Sequence, residues 1–154
     1  MTDMKARVTA ALKDAMRARE PVRLSTLRLI NAAIKDRDIA RRGEGDQGGI
    51  SDAEVLQILA RMVKQRQESA SAYEEGGRLE LAEQERAEIA VIEEFLPRQL
   101  DEGEVEAAIG AAIAETGAAG LRDMGKVMAA LKARHTGQMD FGAVGPRVKA
   151  RLAG

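Results

Sequence analysis

The sequence predicts an all-α protein: a four-helix N-terminal part, residues 1–96, followed by a three-helix C-terminal part, residues 97–154. Three observations predict it. Apolar residues recur at three- and four-residue spacing, and no segment sustains the two-residue alternation of a strand. Start and stop signals punctuate the chain where that spacing breaks. Aromatic residues are only 2% of a chain that is 45% hydrophobic, so the core has to be built from Leu, Ile, Val, Met and Ala.

Each element has its own warrant. Thr2 or Asp3 can cap a first helix reaching about Arg19. Pro21 suits the first turn of a second, where its missing N–H removes no bond. On that helix Arg23, Leu27, Ile30 and Ile34 share one face, which fades near Arg42, and "GEGDQGG" (43–49) reads as a flexible loop. Ser51-Asp52-Ala53-Glu54 has the capping-box pattern, followed by Val55, Ile58, Leu59 and Met62 at helical spacing. This third helix should run to about Glu75, where Gly76-Gly77 stops it. A fourth carries Leu81, Ile89 and Ile92 inward and ends by "FLPRQL". Pro97 marks the boundary, because the residue before a proline is pushed out of helical geometry, and Asp101 caps a new helix at once. Val105, Ile109, Ala112 and Ile113 define the fifth helix. Met124, Val127, Met128 and Leu131 define the sixth, and Val144, Val148 and Leu152 the last, with breaks at residues 117–120 and at Gly137.

The net charge is −1, which predicts no overall attraction to nucleic acid or membrane. Its distribution is uneven: residues 5–42 hold 11 basic and 4 acidic side chains, 74–106 hold 3 and 12, and 118–154 hold 7 and 2. No cysteine is present, which removes thiolate catalysis and Cys-based zinc sites and suits a reducing compartment. No run approaches membrane-spanning length and the N-terminus has no signal core, so a soluble cytoplasmic protein with no membrane partner is expected.

The stripe of the third helix turns polar halfway, reaching Arg66, Ser69 and Tyr73, and Glu85 and Glu88 lie within the inner face of the fourth. A short link favours antiparallel packing, which brings Arg66 level with Glu85 or Glu88. Arginine prefers two-point contact with carboxylate, and Tyr73 and Ser69 can satisfy leftover lone pairs. We read this as a structural ion cluster that fixes helix register. The alternative is a paired-carboxylate active site.

No other catalytic constellation is expected, and neither a cofactor nor a metal. Gly43, Gly45 and Gly48 match G-x-G-x-x-G, but a helix precedes them where the dinucleotide fingerprint needs a strand. His135 has no ligand at metal-binding spacing and reads as a helix-end residue. Serines 25, 51, 69 and 71 adjoin no histidine base. Basic surfaces remain: Arg28 and Lys35 on the second helix, and Lys126, Lys132, Arg134, Arg147, Lys149 and Arg151 in the final third. Singly each reads as solvated surface; together they can hold phosphate. With so few aromatics, a structured RNA suits them better than a single strand.

The segments "RLSTLRLINAAIKD" (23–36), "VKQRQESASAYEEGGRLELAEQERAEI" (63–89) and "FLPRQL" (95–100) resemble the signature segments of the GatB/YqeY family. The tail "MGKVMAALKARHTGQMDFGAVGPRVKARL" (124–152) is similar to the end domain of the tRNA-dependent amidotransferase B subunit, though "ARHTGQMD" departs from that domain's shorter glycine-rich turn. The resemblance implies an all-helical, two-part fold and a link to tRNA. It implies close packing at Gly125, phosphate contacts at Lys126 and Lys132, and core positions at Met128 and Val148. Gly137 and Lys149 are the other matching positions. The B subunit's metal and ATP cradle and the amidase Ser-Ser-Lys set have no counterpart in these residues. Three readings follow: a non-catalytic tRNA-binding or tRNA-associated accessory protein, for which a translation-related protein partner is also expected; a component of glutamine-dependent amide transfer, a carbon–nitrogen ligase chemistry; or a helical adaptor that binds proteins through its acidic central section.

Overall fold

The computed structural model describes residues 3–45 and 49–154. The fold is all-α, with no strand among the described residues. By internal contacts the chain divides into two compact units, Met1–Leu96 and Pro97–Gly154.

The first unit holds α1 (Met4–Ala18), α2 (Pro21–Gly43), α3 (Asp52–Glu75) and α4 (Leu79–Glu93). Thr2 lies outside the described residues, and Asp3 caps α1 by accepting from the Ala6 N–H at 2.7 Å. Pro21 opens α2, which ends at Gly43. Gly43 is therefore helical, while residues 46–48 of the expected loop, Gly48 included, lie outside the described residues. Ser51 accepts from Glu54 N–H and caps α3. The reciprocal half of the expected box is replaced: the Glu54 carboxylate reaches Arg41 at 2.8 Å and Arg37 at 3.7 Å, tying α2 to α3.

Asp38 makes a second tie. It accepts from Lys5 Nζ and from the Ile50 N–H, both at 2.9 Å, and these bonds hold its carboxyl below the usual range. Gly49 beside it has φ +72°, and a Cβ there would lie 2.7 Å from the Asp38 carboxylate. Only glycine fits both the backbone and the space.

Val8, Leu27, Ile30, Val55, Leu59 and Ile92 form the centre of this unit's core, and each is fully buried. The core has a sharp limit. Its last residue from α3 is Val63, and its first from α4 is Ile89. Between them, residues 64–88 form a two-helix arm in which Ala70 and Ala82 are the buried side chains. Sequence reading expected Leu81 on the inner face, but it is 41% exposed. The buried side chain beside it is the one-carbon Ala82.

The second unit holds α5 (Glu102–Thr116), a 3-10 turn (Leu121–Asp123), α6 (Met124–Arg134) and α7 (Phe141–Ala153). Val105, Ile109, Val127, Leu131, Val144 and Val148 are its buried centre, with Met139 beside them. Met124 and Met128 pack at its edge. The 3-10 turn is held by Asp123, whose carboxylate accepts from the Ala119 N–H at 2.9 Å. Pro146 lies inside α7, where it removes one helical hydrogen bond.

Candidate functional site

The Arg66 cluster forms because α3 leaves the core. Past Val63 no side chain of α3 belongs to the unit's apolar core among the described residues. Arg66 Nε stands 3.5 Å from Glu88 Oε2, and both side chains are 15% exposed. Arg66 also donates to the Met62 carbonyl at 3.2 Å. Burial raises the Glu88 pKa; Arg66 opposes the rise, and the adjacent Glu85 adds to it. Glu85 thus meets the cluster through Glu88. No hydrogen bond from Ser69 or Tyr73 reaches either carboxylate among the described residues; both lie half-buried on the same helix. A second ion pair, Arg86 with Glu74, ties the outer part of the arm.

In the second unit the six candidate cations fall into two sets. Arg134 pairs with Glu115 at 2.6 Å. Arg147 pairs with Glu106 and Glu102, and Arg151 with Glu106 at 3.4 Å and with its carbonyl at 3.1 Å. These arginines bind α6 and α7 back to α5. Lys126, Lys132 and Lys149 are exposed. Among the described residues Lys126 alone of the three has an ion-pair partner, Asp123 at 3.8 Å, and it keeps 70% exposure. Arg28 and Lys35 are exposed on α2 in the first unit. Sequence spacing could not separate the two sets, because the partners of Arg134, Arg147 and Arg151 lie 19 or more residues away. Gly125 differs from expectation: a Cβ there meets nothing within 4 Å, so no close packing within the chain depends on it. Val148 is fully buried, and Met128 is half-buried at the core's edge. His135 caps the end of α6, its Nδ1 3.0 Å from Gln138 Oε1.

The start of α5 has a strong acid-sensitive element. Asp101 and Glu104 form a reciprocal capping box, and Arg98 takes the Glu104 carboxylate at 2.8 and 2.7 Å. These contacts lower Glu104 from 4.5 to about 2, with the Arg98 bond the largest cause. A depressed carboxylate contributes stability above its unfolded value and loses it as pH falls toward the folded one. Between about pH 4.5 and 2 the native chain should therefore lose this contribution. Thermal melts of the intact chain at pH 6 and pH 3 should show a smaller acid-induced drop for Glu104→Gln than for the native protein. An equal drop would remove Glu104 from the acid response.

Among the described residues no helix is long and apolar enough to cross a membrane, and no group of three or more His, Asp or Glu side chains is placed to hold a metal ion. A family model described as Yqey-like protein matches residues 5–152. The chain is 35% identical over 85 residues to "Altered inheritance of mitochondria protein 41, mitochondrial" of Clavispora lusitaniae, covering 55% of this chain and 46% of that protein. The protein of the same description from Meyerozyma guilliermondii is 35% identical over 85 residues, 42% of its length. An uncharacterised protein of Schizosaccharomyces pombe is 26% identical over 95 residues, 62% of this chain and 73% of that protein. The chain thus spans less than half the length of the two mitochondrial relatives.

Proposed function

Because this chain belongs to the Yqey-like protein family, we propose that it is a non-catalytic tRNA-binding or tRNA-associated accessory protein, with its RNA contact in the C-terminal unit. The observation that carries this reading is the division of the cations there. Arg134, Arg147 and Arg151 are committed to carboxylates, while Lys126, Lys132 and Lys149 extend into solvent. A phosphate backbone is the ligand such lysines suit, since each contact releases condensed counterions. The likeness of residues 124–152 to the tail domain of the amidotransferase B subunit supports tRNA over other RNAs. Arg28 and Lys35 are a further cationic edge, on α2. The cytoplasm expected from the sequence and the mitochondrion named for two relatives are both compartments that hold tRNA.

Fluorescence anisotropy with tRNA across a series of salt concentrations tests the proposal. Binding should weaken linearly in log–log form, and each lysine in contact should remove about one unit of slope when changed to alanine. The Lys126→Ala/Lys132→Ala/Lys149→Ala variant should therefore bind more weakly and with a flatter slope, without loss of melting temperature. The same measurement on Arg28→Ala/Lys35→Ala reads whether the α2 edge takes part. Glutamine- and ATP-dependent amide formation by the purified chain would replace this reading with the amidotransfer one.

A further inference from the structure

We propose that the tip of the α3–α4 arm docks a short basic segment of a partner protein, one that carries one or two apolar side chains. The arm itself is the first observation. Twenty-five residues, 64–88, continue past the unit's core and bury little more than two alanines, so the core does not explain their length. Ala70 and Ala82 let the helices approach closely, and the Arg66–Glu88 and Arg86–Glu74 pairs hold them together. The arm is thus built to keep its tip in a fixed place.

The tip is apolar and acidic. Leu79 and Leu81 are 61% and 41% exposed. They line an open concavity of about 480 Å³ together with Gly77, Arg78 and Glu80. The positive φ of Gly77, +75°, makes the tight reversal that sets the two leucines beside the end of α3. Glu75, Glu80 and Glu83 are exposed around them and have no ion pair among the described residues; of the nearby cations, Arg86 is paired with Glu74, which leaves Arg78 against the three carboxylates. Two exposed leucines within an acidic rim match a ligand that brings apolar side chains between lysines or arginines. The same charge repels RNA, so a nucleic acid is not the occupant of this surface.

The probe is a fluorescein-labelled twelve-residue peptide of lysines with two leucines, measured against versions with every lysine changed to glutamate or both leucines to serine. The intact chain should bind the lysine–leucine peptide at least tenfold more tightly than either control. Leu79→Ser/Leu81→Ser should weaken that binding at least fivefold while leaving the melting temperature and tRNA affinity unchanged. Glu80→Lys/Glu83→Lys should shift the preference toward the glutamate peptide. Three results overturn the proposal: no preference among the peptides, binding indifferent to the tip variants, or self-association of the native chain that Leu79→Ser/Leu81→Ser abolishes, which would make a second copy the occupant. Measuring tRNA on the same variants keeps failure here distinct from failure of the RNA reading.

Discussion

Ile92→Ala is expected to destabilise the N-terminal unit by about 2–5 kcal/mol, the range for deleting a large buried aliphatic side chain. Ile92 is fully buried in the core with Leu27, Leu59 and Phe95 around the same cluster. Its loss forfeits both the transfer of the removed carbons from water and the contacts of the cavity lining. For a unit of this size that corresponds to a fall in melting temperature of about 10 °C or more. Leu81→Ala, a comparable deletion one arm-length away, should change stability by no more than about 0.5 kcal/mol, because Leu81 already faces water. Thermal and urea melts of the two variants side by side check the contrast. Equal effects would mean that the core continues along the arm.

The second large effect is at Arg66. Arg66→Met keeps the volume and the stem packing but leaves Glu85 and Glu88 adjacent and half-buried with no cation between them. At pH 7 this should cost about 1–3 kcal/mol, the penalty of an unsatisfied buried polar group. The sign of its pH dependence is fixed by Glu88. Burial already raises this pKa in the folded state, and loss of Arg66 raises it further. A raised carboxylate contributes its full stability below the unfolded value and loses it as pH rises through the folded one. The defect should therefore shrink as pH is lowered from 7 toward the ordinary carboxylate range. Arg66→Met/Glu88→Leu should recover most of the loss, since a buried ion pair and a well-packed apolar pair are often of similar stability. Denaturant melts of the two singles and the double at two pH values measure the coupling. If Arg66→Met alone were more stable than the native chain, the pinning of α3 to α4 by this pair would be wrong.

Much of the fold was legible because helix ends carry local chemistry. Asp3, Ser51 and Asp101 each cap the helix they precede, and Pro21 opens α2. Ile89 and Ile92 were legible on the inner face of α4, but its outer part was not, because the buried side chain there is Ala82. A reading weighted toward large apolar residues passes over alanine and selects Leu81. The end of the core at Val63 and Ile89 was equally hidden, since it depends on tertiary packing that spacing along one helix does not report. Arg66 and Glu88 were visible as polar interruptions of apolar stripes, and the structure sets them 3.5 Å apart. The division of the basic residues was not visible, because the acids that claim Arg134, Arg147 and Arg151 come from α5, far away in sequence.

Photo-crosslinking of the intact chain to tRNA, followed by mass spectrometry of the linked peptides, tests the central claim most directly. Crosslinks should concentrate in peptides carrying Lys126, Lys132 and Lys149 and disappear at high salt. Crosslinks confined to residues 64–94, or none at salt concentrations where lysine–phosphate contacts persist, would contradict it.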